Sequence, residues 1–221
     1  MPLSNKKGFM FQDRKGEDAV YDLVKLQKKV EKELDEDRFY HTLGVMYMCA
    51  ALAMVHGVDV NVAQCAGLLH DCAKCIPTKK KLKICHMGNV PLTEFEEAHP
   101  FLIHAKLGAY LALHKYGVRD EEILSSITYH TTGKPEMTTL EKIVYIADYI
   151  EPMRFKAPNL AEVRKLAFED LDECMYVILK NILEYLGDDP GDVDQTSIRA
   201  YAYYRNLHYA RRAEKFEGRT L

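Results

Sequence analysis

A histidine followed directly by an aspartate, His70-Asp71, closes the apolar stretch Gly67-Leu68-Leu69. One backbone locus then offers an imidazole nitrogen and a carboxylate oxygen, a mixed donor set that suits a divalent metal. Lys74 lies three residues beyond Asp71 and shares its face if the helix continues. Beside a metal-carboxylate cluster, a lysine can hold a phosphate. Alone the dipeptide is weak, because it also fits a helix end whose polar residues reach water. Further residues shift that balance. His41 precedes His70 by 29 positions, at the start of another helix. Asp148 stands inside the apolar run Ile143-Val144-Tyr145-Ile146-Ala147-Asp148-Tyr149-Ile150. An unpaired carboxylate there would be costly to bury, and a metal, a cation or a Tyr or Lys donor would relieve it.

Around these four stand candidate phosphate contacts. His104 lies on an apolar stretch followed by Gly108, a residue that lowers helix propensity and admits a close neighbour. His130-Thr131-Thr132-Gly133 forms a donor-rich turn. Arg154 follows Pro152 and suits bidentate phosphate recognition. His99 precedes Pro100 in a loop and is left outside the set. A rival constellation, Cys72-x-x-Cys75 with Cys85-His86, has zinc-like spacing. It overlaps the His-Asp motif, so the cysteines read as structural, with Cys49 and Cys65 as small buried hydrophobes.

The elements that must position these residues are helical. Apolar residues 20, 23, 24, 30 and 34 mark a first stripe. Helices are expected from about Arg38 to His56 with a stop at Gly57, and from Asp59 to Lys74. Thr78 is expected to cap a short helix ending at Gly88. Thr93 with Glu96, and Thr138 with Glu141, read as capping boxes. Others are expected over 101–116, from Asp120 to His130, from Thr138 to Glu151, from Asn159, over 171–186 and over 196–216. No alternating strand pattern is evident, so the fold class is all-α.

With 221 residues, 48% hydrophobic and 29% charged, disorder, collagen and small disulfide scaffolds are excluded. A net charge of −3 argues against a dedicated nucleic-acid binder. Phe39 to Val58 carries no Asp, Glu, Lys or Arg, but its continuous apolar part, Leu43 to Val55, is short and reads as a core helix. No secretory signal opens the sequence, so a cytoplasmic protein with reduced thiols and no membrane partner is expected. Residues 1–18 read as a loose extension, 19–198 as the domain and 199–221 as a basic C-terminal helix or tail. That tail holds six basic and two acidic residues among Tyr201, Tyr203, Tyr204 and Tyr209, which are expected to dock on the domain.

The order His41 … His70-Asp71 … Asp148 resembles the HD-domain superfamily of metal-dependent phosphohydrolases, helical bundles with H…HD…D ligands. The strings AGLLHDCAK, LIHAKLGAYLA, ITYHTTGKPEMTTLEKIVYIADYIEPMR and RFYHTLGV look like its YqeK-type, symmetrical bis(5'-nucleosyl)-tetraphosphatase branch, over roughly residues 20–205. The resemblance implies an iron-containing site that binds ADP-like nucleotides and cleaves diadenosine tetraphosphate symmetrically. His41, His70, Asp71 and Asp148 match the metal ligands, and Lys74 matches the HD-x-x-K lysine. His104, His130, Thr131 and Arg154 match positions around the phosphates, where His41 and Asp148 also border the nucleotide. Cys72 and Cys75 depart from the pattern without touching a ligand.

On that reading the metal acidifies a water, Asp71 orients it, and Lys74, Arg154 and the protonatable His104 and His130 offset phosphoryl charge. One high-affinity metal is favoured over two. Nitrogen and oxygen donors would also accept manganese, cobalt, nickel or zinc. A homodimer is suggested by the family. The alternatives are another HD phosphohydrolase of nucleoside monophosphates, cyclic nucleotides or guanosine alarmones, a non-catalytic nucleotide sensor, and an interaction protein acting through the tail.

Overall fold

The computed structural model describes residues 20–187 and 193–217; the extension expected at 1–18 lies outside them. The described residues form eleven helices and no strand. In order these are α1 (Leu23–Val30), α2 (Glu36–His56), α3 (Val60–Leu69), α4 (Thr78–Met87), α5 (Glu94–Ala98) and α6 (Ile103–His114). Then follow α7 (Glu121–Tyr129), α8 (Thr139–Ile150), α9 (Leu160–Glu169), α10 (Leu171–Leu186) and α11 (Gln195–Glu217).

Local chemistry sets most helix starts. Asp22, Asp35, Asp59, Asp120 and Asp170 each accept a backbone N–H at the start of α1, α2, α3, α7 and α10. Thr93 with Glu96 and Thr138 with Glu141 form complete capping boxes on α5 and α8. Two expected caps differ. Pro77 takes the cap position before α4, so Thr78 is already helical and caps nothing. Asn159 precedes α9 with φ 55°, a left-handed conformation from which its side chain makes no cap bond. The first stripe is also shorter than expected. Val20 and Val24 face solvent, while Leu26 and Val30 enter the core.

The largest departure falls at the chemistry. α3 ends at Leu69, not at Lys74. Cys72 N–H bonds to the Leu69 carbonyl at 3.1 Å and Lys74 N–H to the Asp71 carbonyl at 2.8 Å, so the chain tightens into i→i+3 turns. His70 therefore sits at the helix end, and Asp71 is turned inward beside it.

α8 is the central element and packs against α2, α7, α9 and α10. Leu140, Ile143, Val144, Ile146, Ala147 and Ile150 are all buried on it. Each of these leucine, isoleucine and valine side chains contributes about 1.5–3 kcal/mol, against about 1 kcal/mol for a cap. Burial, more than capping, fixes the helix that carries Asp148. α2 is long and apolar enough to cross a membrane by composition, but half of that window is buried in this fold. α11 lies along α10. Its Tyr204 is buried, and the hydroxyl accepts the Met137 N–H at 3.2 Å, while Tyr209 stays exposed. Arg211 pairs with Asp170 and Asp172, and His208 with Glu173.

α2 and α3 meet at Gly67. A Cβ there would lie 2.8 Å from Cys49 Sγ and 3.1 Å from Met46 Cα, so the backbones touch. Gly67→Ala should cost about 1–3 kcal/mol in urea unfolding. Because the Gly67 carbonyl also holds His70, metal affinity should fall in the same variant. Wild-type stability would disprove the close packing.

Candidate metal centre and flanking cavities

Four histidines from four elements point into one polar centre. His41 comes from the second turn of α2, His70 from the end of α3, His104 from the start of α6 and His130 from the end of α7. Each ring is oriented by the same device. His70 Nδ1 lies 2.7 Å from the Gly67 carbonyl, His104 Nδ1 2.5 Å from that of Phe101, and His130 Nδ1 2.7 Å from that of Ile127. His41 Nδ1 lies 3.1 Å from Glu151 Oε1. A carbonyl or carboxylate oxygen only accepts, so each Nδ1 carries the hydrogen. In the neutral imidazole the Nε2 lone pair then faces the centre, as in metal sites whose outer groups fix the tautomer.

Two carboxylates meet those lone pairs. His41 Nε2 lies 3.0 Å from Asp148 Oδ1 and 4.0 Å from Asp71 Oδ2. His70 Nε2 lies 3.5 Å from Asp71 Oδ2 and 4.0 Å from Asp148 Oδ1. Neighbouring donors on one ion at about 2.1 Å are about 3 Å apart, so this spacing suits a shared cation. His41 Nε2, His70 Nε2 and Asp71 Oδ1 are buried without a hydrogen-bond partner. The two imidazole acceptors face one point and Asp71 Oδ1 faces the neighbouring His104 and His130, an arrangement that is unfavourable unless positive charge joins these groups. The donor set thus fits a divalent metal.

Asp71 faces two ways. Its Oδ1 lies 3.2 Å from His104 Nε2 and 3.6 Å from His130 Nε2, and those two nitrogens are 3.2 Å apart. This forms a second donor group, Asp71–His104–His130. Burial pushes His104 down to about 4, against the pull of Asp71, so it is neutral at pH 7. The positive charge expected of His104 is therefore absent, and it presents a lone pair instead. Lys74 Nζ lies 3.2 Å from that nitrogen and 4.0 Å from Asp71 Oδ1, which places its charge at the rim. Burial raises the Asp148 carboxyl, but the imidazoles around it outweigh that effect and hold it well below the usual carboxylate range, so Asp148 stays ionised.

Two residues here escaped the sequence. Glu151, at the end of α8, is buried and orients His41. Gly44 makes room for it: a Cβ would lie 2.6 Å from Glu151 Oε2. Arg38, one turn before His41, reaches Asp71 Oδ2 at 2.9 Å through Nη1. A glycine one turn after a helical histidine was the available signal for Glu151. Gly108, read as an admission point, does receive the His70 carbonyl and Ile127, with Cβ distances of 3.4 and 3.2 Å.

Two cavities border the cluster. One of 440 Å³ is lined by His130, Thr131, Asp148, Arg154 and Lys156 on its polar side, and by Tyr145, Tyr149, Met153, Phe155 and Ile182. Thr131 belongs to this wall and is not in the His/Asp cluster. Arg154 Nη2 bonds Asp148 Oδ1 at 2.9 Å. The other cavity, 380 Å³, is lined by Arg38, Tyr40, His41, Asp35, Asp37 and Glu151, and shares Met153 and Arg154 with the first. The cysteines stay apart: Cys72 bonds the Gly108 carbonyl, Cys75 meets Asp35, Cys85 is buried in a satellite cluster, and none joins a metal-binding group among the described residues. His99 stacks on Phe95, outside the site.

Glu151→Gln keeps the shape but removes the charge behind His41. It should weaken metal binding about 10–100-fold, read by competition with a chelator. Gly44→Ala should do the same by displacing Glu151. Unchanged affinity in both would mean that Glu151 has no hold on the ligand.

The comparisons agree with this geometry. The family model of the HD domain matches residues 38–153. A protein of Bacillus subtilis named "Bis(5'-nucleosyl)-tetraphosphatase, symmetrical" is 43% identical over 157 residues, covering 71% of this chain and 83% of that protein. A Staphylococcus aureus protein of the same name is 33% identical over 187 residues, 82% of this chain and 94% of that one. A crystal structure of an HD superfamily hydrolase from Clostridium acetobutylicum, described as involved in NAD metabolism, superimposes with a TM-score of 0.79. It is 37% identical and covers 85% of this chain and 99% of that one. A matching model that spans the His/Asp cluster, with relatives aligned over most of the chain, makes this protein a member of the HD-domain family.

Proposed function

We propose that this protein is a metal-dependent phosphohydrolase that cuts dinucleoside tetraphosphates symmetrically, turning diadenosine tetraphosphate into two ADP. The observation that carries the reading is the convergence of His41 Nε2, His70 Nε2, Asp71 and Asp148 beside a cavity with an aromatic wall and an arginine. The names of the relatives support the same reaction.

His41, His70, Asp71 and Asp148 hold the metal, taken to be iron, though manganese, cobalt, nickel or zinc suits the same donors. When bound, a divalent ion lowers the pKa of a water toward neutrality and offsets phosphoryl charge. The chain does the rest. Tyr149, Met153 and Phe155 offer an apolar wall to one nucleoside. Arg154, Lys156 and Thr131 line the same cavity and receive its phosphates. Asp71 accepts a hydrogen bond from the attacking water and aims it. Lys74, at the cluster rim, meets charge developing on the central phosphates. His130 lines the cavity and the cluster at once, and so borders both metal and phosphate. The protein is expected to act in the cytoplasm; its described cysteines are all free.

A second reading adds an ion in the Asp71–His104–His130 group. It is favoured by neutral His104 and by two Nδ1-tied rings whose Nε2 atoms lie 3.2 Å apart. Metal analysis of pure, iron-reconstituted protein decides between them. Near one ion per chain keeps the single centre, and near two establishes a pair sharing Asp71.

The reaction itself is tested by incubating that protein with diadenosine tetraphosphate and resolving the products. ADP alone is expected, lost on chelation, restored by metal, and reduced at least about a thousandfold in Asp71→Ala. AMP with ATP would overturn the cleavage position. Full activity in Asp71→Ala would remove the site.

A further inference from the structure

The tetraphosphatase reading leaves the 380 Å³ cavity on the Arg38 side without a use. A symmetrical dinucleoside substrate has two like halves, and the aromatic cavity accommodates one. We infer that the Arg38-side cavity is the subsite for the second nucleoside diphosphate, with Arg38 binding its phosphate and Tyr40 its base. This inference rests on the hydrolase reading and adds the residues that make a two-nucleoside substrate preferable to a one-nucleoside one.

Three observations carry it. The two cavities border different members of the donor cluster, one reaching Asp148 and His130, the other reaching His41 and Glu151. They share Arg154 and Met153, so a polyphosphate passing the metal ligands enters both. Each carboxylate of the cluster also has its own guanidinium, Arg154 at Asp148 and Arg38 at Asp71, both at 2.9 Å. Arg38 is 30% exposed and Arg154 43%, so each keeps donors free for a phosphate oxygen. His41, whose buried Nε2 has no partner, also lines the second cavity.

The walls say which end of the nucleotide goes where. Tyr40 is 56% exposed at the mouth and offers its ring as a stacking face. Asp35 and Asp37 also line the cavity. Carboxylates repel phosphates but accept hydrogen bonds from a ribose diol or a base amino group. Phosphate therefore belongs at the Arg38 floor and nucleoside at the acidic rim. In the cut, the water oxygen joins one central phosphorus and the oxygen bridging the two leaves with the other half. The protons of the water go to the leaving phosphate and to solvent. The departing ADP is the one seated by Arg38.

The test compares diadenosine tetraphosphate with adenosine 5'-tetraphosphate, which lacks the second nucleoside and yields ADP and pyrophosphate. Tyr40→Ala, at an exposed position, should lower the ratio of the two kcat/KM values about tenfold. Arg38→Met should raise KM for the dinucleoside. Independently, equilibrium dialysis of the metal-loaded protein should find two ADP per chain, and one in Tyr40→Ala. An unchanged ratio, or a single ADP per wild-type chain, overturns the subsite. If wild type turns over neither substrate, the hydrolase reading fails, and the dialysis still decides the subsite by itself.

Discussion

A buried imidazole with its Nδ1 hydrogen tied to an oxygen has one place left for its lone pair. Four histidines in this fold obey that constraint, and their Nε2 atoms all meet Asp71 or Asp148. The result is an electron-rich centre inside a low-dielectric bundle, where like charges interact several-fold more strongly than in water. Such a centre persists because the backbone holds it. Two of the four anchoring oxygens, those of Gly67 and Ile127, are helix carbonyls one turn upstream, which cannot move without unwinding a helix, and a third, that of Phe101, belongs to the turn leading into α6. The fourth is a side chain, Glu151, and it is buried and itself held.

The rest of the bundle can be read as the means of bringing those four helix ends together. α3 stops at Leu69, and the i→i+3 turns that follow aim Asp71 where a continuing helix would have carried it round the axis. Gly67 brings α3 against α2, Gly108 lets α6 take the His70 carbonyl, and Gly44 admits Glu151. Each omits a side chain from a helix interior, which costs about 0.5–1 kcal/mol relative to alanine. The dozens of buried aliphatic contacts on α8 and its neighbours offset that cost easily. Arg164 has a comparable role at the far end of α8. Its guanidinium donates to the Ile150, Glu151 and Arg154 carbonyls, fixing the segment that carries both Glu151 and Arg154.

How much of this was legible in the sequence follows from what each residue pays for. Asp148 was readable because a carboxylate on so apolar a helix demands a partner, and the helix is indeed buried on nearly every side. The capping boxes were readable because both partners are three residues apart. Arg38 was hidden because it follows Glu36 and Asp37 in a charged first turn and looks like surface. Its partner Asp71 is 33 residues away. Glu151 was hidden for the same reason, with His41 at a separation of 110. The charge of His104 could not be read at all, since a neutral ring at pH 7 follows from burial and not from neighbours in sequence. The end of α3 was misplaced because the tight turns depend on packing that no periodicity encodes.

Arg38 and Arg154 show why stability is the wrong measure for some of these pairs. Both guanidiniums are partly exposed, so solvent screens them, and ion pairs of that kind contribute about 0–1 kcal/mol. That is too little to explain two arginines placed one on each carboxylate of the cluster. Geometry explains them better. Each holds the carboxylate oxygen that also faces His41 and His70, Arg38 at Asp71 Oδ2 and Arg154 at Asp148 Oδ1, and so fixes where that oxygen sits. A planar fork that already holds a carboxylate through one nitrogen presents its remaining donors in a fixed direction. Here those directions lead into the two cavities, so the groups that order the donor cluster are also the first charges an incoming polyphosphate meets.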